Sequence, residues 1–120
     1  MIRTILQYQK RDGSAPFREW LLKLQDVQAR ARIRARLDRL RLGNFGDSKR
    51  VGNGMFELRF HFGPGYRVYF GRIADKIVVL LLGGDKGSQE KDIKKAKEYW
   101  HDYLNYYEKK KIQKISRRTH

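Results

Sequence analysis

Residues 55–62 read MFELRFHF, and this strict alternation constrains the fold more than any other stretch. Successive side chains of a strand point to opposite sides, so Phe56, Leu58, Phe60 and Phe62 share one face while Glu57, Arg59 and His61 share the other. Gly63-Pro64-Gly65 reads as a three-residue hairpin loop. Residues 66–73, YRVYFGRI, return with Tyr66, Val68 and Phe70 on the apolar face. With Phe62 opposite Tyr66, His61 is expected opposite Arg67 and Arg59 opposite Tyr69. A turn at Ala74-Asp75 leads to residues 77–82, IVVLLL, which are apolar on both faces and are therefore expected in the middle of a sheet.

The flanking segments complete the order. Residues 2–9, IRTILQYQ, favour a first strand that ends at the turn signal Lys10-Arg11-Asp12-Gly13. Ser14-Ala15-Pro16 opens a helix in which Phe17, Trp20, Leu21 and Leu24 recur at helical spacing. A second helix is expected from about Asp26 to Leu42, with Ala29, Ile33, Leu37 and Leu40 on one stripe; nothing between the two forces a break. The glycine-rich residues 43–54 read as a loop long enough to serve a function. Ser88 is expected to cap a last helix that buries Ile93, Ala96, Trp100, Leu104 and Tyr107. The order β-α-α-β-β-β-α implies an α+β fold, a small antiparallel meander of four strands with the helices packed on one face. One domain is expected over residues 1–108, followed by a basic, mobile tail over 109–120.

Charge limits the function. The chain carries 28 Lys and Arg against 13 Asp and Glu, a formal net charge of +15, which points to an anionic partner such as nucleic acid. There is no cysteine, so disulfides and thiolate metal sites are excluded. His61, His101 and His120 lack metal-ligand spacing, and neither a metal nor a cofactor is expected. The longest apolar run is too short to span a bilayer, and residues 1–5 lack the apolar core of a signal peptide, so no membrane association and a cytoplasmic location are expected.

Three groupings carry candidate chemistry. On the hairpin, Arg59, His61, Arg67 and Tyr69 share the face away from the phenylalanines. Guanidinium groups on adjoining strands repel unless an anion lies between them, and a phosphate suits them bidentately. The competing reading is a solvated sheet face in which Glu57 pairs one arginine. Between the apolar strand and the last helix, Gly83-Gly84-Asp85-Lys86-Gly87-Ser88 is either a phosphate cradle or an ordinary connector. Six arginines crowd residues 30–41 with only Asp38 to offset them. Arg30, Arg34 and Arg41 there, with Lys49 and Arg50 in the loop, are candidate contacts to RNA backbone. Trp100, Tyr103 and Tyr107 fit base stacking, though helix packing explains the same spacing.

The stretch GNFGDSKRVGNGMFELRFHFGPGYRVYF, followed by IVVLLLGGDKGSQEKDIKKA, resembles the HigB-like addiction module killer proteins of the RelE/ParE toxin superfamily. The similarity runs from about residue 2 to residue 107. It implies a microbial-ribonuclease-like fold and the toxin of a type II toxin–antitoxin pair that cleaves messenger RNA on the ribosome, without a metal. It also implies a HigA-like antitoxin with a helix-turn-helix domain as partner. Arg59 of ELR, Arg67 of GYRVYF and Lys86 of GGDK match the family's motif positions. On chemical grounds Arg59, Arg67 and Lys86 would stabilise the phosphate, and Tyr69 or His61 would handle protons. Some ribosome-dependent relatives use a tyrosine or histidine near the C-terminus, for which this chain has no clear counterpart. ParE-type members act on DNA gyrase and cut no RNA, so a non-enzymatic growth inhibitor is the alternative, and a plain RNA-binding module is a third reading.

Overall fold

The computed structural model describes residues 2–118, with the side chains of residues 2–113. Its elements are β1 (Thr4–Gln7), α1 (Pro16–Lys23), α2 (Val27–Arg41), β2 (Ser48–Gly52), β3 (Met55–Arg59), β4 (Tyr66–Ile73), β5 (Ile77–Asp85) and α3 (Gln89–Arg118), with a single 3-10 turn (Lys86–Ser88) before α3. Pro16 stands in the first turn of α1, where its missing N–H costs nothing. Asp26 starts α2 by accepting a hydrogen bond from the Ala29 N–H at 3.1 Å. Leu24 and Asp26 are both extended, so α1 and α2 are separate helices.

The strands form one open mixed sheet in the order β1-β5-β4-β3-β2. Strands β2 to β5 make an antiparallel meander, and β1 joins the free side of β5 in parallel, with Ile5 beside Val78. The fold is α+β as expected, but the sheet has five strands rather than four. The additional strand, β2, comes from the segment read as a loop. Asn53 (φ 53°) and Gly54 (φ 82°) form the tight turn that folds β2 onto β3, a turn whose positive φ values suit Asn-Gly.

The expectation of helices on one face is also corrected. Phe17 and Leu21 of α1 and Ile33 and Leu40 of α2 pack on Leu58, Phe60, Val68, Phe70, Val78 and Leu80. On the opposite face, Ala96, Tyr99 and Trp100 of α3 pack on Met55, Tyr69, Val79 and Leu81. Strand β5 is apolar on both sides because it is covered on both sides. Gly71 of β4 admits the Trp100 ring, since a Cβ there would lie 2.3 Å from it. The Trp100 indole N–H donates to the Asn53 carbonyl at 2.7 Å, tying α3 to the β2–β3 turn.

Helix α3 continues to Arg118, past Lys109 where the apolar periodicity ends. Thr119 and His120, the end of the basic segment, lie outside the described residues. No helix is long and apolar enough to cross a membrane, among the described residues.

Candidate functional site

The register of β3 and β4 decides which charges meet. Pairing is Glu57 with Tyr69, Leu58 with Val68 and Arg59 with Arg67, two residues away from the expected alignment. The connection is wider than Gly-Pro-Gly. A turn from Phe62 to Gly65 sits inside it, closed by the Gly65 N–H on the Phe62 carbonyl at 3.1 Å, and the Phe60 N–H bonds the Tyr66 carbonyl at 3.0 Å. Gly63 (φ 57°) and Gly65 (φ 79°) supply the left-handed backbone this needs. A slip of two residues preserves the faces, so Glu57, Arg59, Arg67 and Tyr69 still project together on the α3 side.

Two arginines directly opposite would repel, and each is supplied with its own carboxylate. Arg59 Nη2 donates to Asp47 Oδ1 at 2.9 Å, from a side chain 37% exposed. His61 Nε2 pairs with the other Asp47 oxygen, and the His61 side chain is 74% exposed. These two contacts, His61 first and then Arg59, hold the Asp47 carboxyl below its ordinary pKa of 3.8. Arg67 Nε lies 3.8 Å from Glu57 Oε1, with side-chain exposures of only 10% and 1%. Its Nη1 donates to the Gly65 and Tyr66 carbonyls at 3.2 Å each. The Gln89 side-chain amide at the start of α3 donates to Glu57 Oε2 at 2.7 Å, so the buried carboxylate is held from two sides.

Lys86 joins this cluster through the Gly65 corner. A Cβ on Gly65 would lie 3.3 Å from Lys86 Cβ and 3.6 Å from Arg67 Nη1, so the bare glycine lets the 3-10 turn come close. Asp85 fixes that turn by accepting from the Gly87 and Ser88 N–H groups at 2.8 and 3.2 Å, leaving Lys86 exposed. Lys49 pairs with Glu57 across β2 and β3 and is exposed on the same face. Arg59, Arg67, Lys86 and Lys49 thus stand among Asp47 and Glu57, with Asp85 capping the Lys86 turn and Asp92 lying against Gly84, the β5 partner of Arg67.

The other sequence-predicted residues fall elsewhere. Tyr69 is on the right face but fully buried, with its hydroxyl beside the Glu57 carboxylate. Burial, and next the Glu57 charge, push its pKa up. Arg50 points to the opposite face, with its guanidinium carbon 5.8 Å from the Phe56 ring centroid. Arg30, Arg34 and Arg41 lie on α2, which covers the sheet face away from Arg67. Arg34 and Arg41 instead line a cavity of about 580 Å³ against β1. Among the described residues, no group of three or more His, Cys, Asp or Glu is placed to hold a metal ion.

Sequence reasoning missed Asp47 and Gln89 and treated Glu57 only as a possible partner. Asp47 was legible as the only acid in the glycine-rich stretch 43–54. Gln89 carried no signal, since its role depends on where α3 starts over the sheet.

Residues 19–101 match the family described as Phage derived protein Gp49-like (DUF891). The chain belongs to that family. The Gp49-like proteins are toxin-like and related to the RelE/ParE-type addiction modules. The chain is also similar to an uncharacterized protein of Haemophilus influenzae, 54% identical over 81 residues that cover 68% of this chain and 82% of the relative. No solved structure matches it. The Gp49-like span holds the whole Asp47–Glu57–Arg59–Arg67–Lys86–Gln89 cluster and leaves out β1 and the end of α3.

Proposed function

We propose that this Gp49-like protein is the toxin of a type II toxin–antitoxin pair, HigB-like, and that it cleaves messenger RNA on the ribosome without a metal ion. The observation that carries this reading is the direct pairing of Arg59 with Arg67, with Lys86 near Arg67 at the Gly65 corner; Arg59 and Lys86 are the accessible cations, and Arg67 is the buried one. RNA supplies its own nucleophile. Once the 2′-hydroxyl gives up its proton it attacks the adjacent phosphorus, the P–O5′ bond breaks, and the departing O5′ takes up a proton. The products are a 2′,3′-cyclic phosphate and a 5′-hydroxyl. The crowded phosphorane carries extra negative charge, and preorganised cations lower its energy most where they are already fixed. Glu57 and the two backbone carbonyls fix Arg67, and Asp47 fixes Arg59.

His61 is the proton-handling group in this scheme. It is exposed, and Asp47 orients its ring. Tyr69, enclosed under α3, serves as a floor beneath Glu57 and Arg67. The antitoxin of this reading carries a helix-turn-helix domain and neutralises the toxin by covering the same cationic face.

The test is induction of the protein in a bacterium with mapping of messenger RNA ends. Wild-type protein is expected to arrest growth and produce new internal ends, and Arg59→Ala, which leaves the buried Glu57–Arg67 pair in place, to lose most of both. Growth arrest with intact transcripts and a DNA-damage response would replace this reading with a gyrase-directed one.

A further inference from the structure

Two neighbouring concavities lie away from Arg67. One, of about 440 Å³, opens between the end of β1 and the second half of α3; its walls include Tyr8, Tyr103 and Tyr106. A second, of about 550 Å³, shares Tyr103 and Tyr106 and continues towards α1. The two form one groove along the β1 edge of the sheet. It is built from residues 6–18 and 102–109, the two segments that flank the Gp49-like span.

The chemistry of the groove is specific. Tyr106 is 57% exposed and offers a ring face at the surface, beside Tyr103 with 6.3 Å between centroids. Lys10, Arg11 and Lys109 rim one end and Arg18 the other. Among the described residues, the one acid in its walls is Asp102, which accepts the Tyr8 hydroxyl at 2.7 Å, against the four cations Lys10, Arg11, Arg18 and Lys109. Gln7, Gln9 and Asn105 add amide donors and acceptors between the rings and the charges.

We infer that this groove binds single-stranded RNA, with a base stacked on Tyr106 and flanking phosphates on Lys10, Arg11 and Lys109. Aromatic faces among cations, with amides that suit base edges, are what unpaired nucleotides need and what a duplex cannot use. The inference rests on the RNA-cleaving reading above and deepens it. The groove holds the strand at a distance from the bond that is cut, so it contributes affinity and not chemistry.

The experiment is fluorescence-anisotropy binding of the full chain to a labelled single-stranded oligoribonucleotide, with the same sequence as a duplex and a labelled poly-glutamate peptide as competing probes. Tyr106→Ala is expected to weaken single-strand binding about tenfold, Tyr106→Phe to leave it intact, and neither to change duplex binding. Lys109→Gln is expected to lower the salt slope of single-strand binding by about 0.7. Equal single-strand affinity of Tyr106→Ala and wild type overturns the inference, and if the wild type still cleaves transcripts the function proposed above stands without it. Loss of peptide binding in Tyr106→Ala with unchanged RNA binding also overturns it and makes the groove a protein-docking site. A wild type that binds no RNA and cuts none removes both.

Discussion

Arg59 and Arg67 are direct partners across β3 and β4, and each leans on a different carboxylate, Asp47 at 2.9 Å and Glu57 at 3.8 Å. The two pairs differ in exposure, and this difference separates their expected behaviour.

Arg59 is more than a third exposed, so its ion pair contributes little to stability, under about 1 kcal/mol. Arg59→Ala is expected to keep the melting temperature within a few degrees of wild type while lowering the rate of transcript cleavage about a hundredfold. Circular dichroism and single-turnover cleavage measured on the same preparation check this.

Glu57 and Arg67 are both buried. Replacing the carboxylate leaves a guanidinium enclosed without its counter-charge. Glu57→Gln is expected to cost about 3 kcal/mol, a fall of about 10 °C in melting temperature. Thermal unfolding followed by circular dichroism measures it.

Tyr69 provides a sharper separation of roles. Its hydroxyl is buried beside the Glu57 carboxylate, and removing it takes away a desolvated polar atom along with any bond to that carboxylate. Tyr69→Phe is expected to unfold within a few degrees of wild type and to cleave at the wild-type rate. A large loss of cleavage with unchanged stability would assign proton transfer to this tyrosine in place of His61.

Asp47 sets a pH dependence. Its folded pKa is depressed by His61 and Arg59, so its contribution to stability is complete above the unfolded carboxylate pKa and is lost as pH falls through the folded one. The melting temperature of the wild type is therefore expected to fall more steeply below about pH 4 than that of Asp47→Asn. The two curves, taken between pH 2.5 and 6, should converge at the acid end.

Much of this arrangement was legible in the sequence, and the misses have identifiable causes. Strands β3, β4 and β5 announced themselves by alternation and by an apolar run, and α2 and α3 by helical stripes. Strand β2 was hidden because an edge strand buries little, and Lys49, Arg50 and Gly52 show no apolar face. Asn53-Gly54 was the turn signal that should have revealed it. The hairpin register slipped by two because Gly63 and Gly65 both permit left-handed backbone, so more than one loop length fitted the letters. The second helical layer was implied by IVVLLL, since a strand apolar on both faces needs cover on both. The parallel β1–β5 pairing had no local signal, because partners so far apart in sequence leave no periodic trace. The cationic face survived these errors because a two-residue slip does not change sides.

The most direct measurement is the chemistry of the ends made by purified protein on messenger RNA loaded on bacterial ribosomes, in buffer containing EDTA. The account predicts cleavage that leaves a 2′,3′-cyclic phosphate and a 5′-hydroxyl and that is about a hundredfold slower in Arg59→Ala. Intact messenger RNA under these conditions, or 5′-phosphate ends, would contradict it.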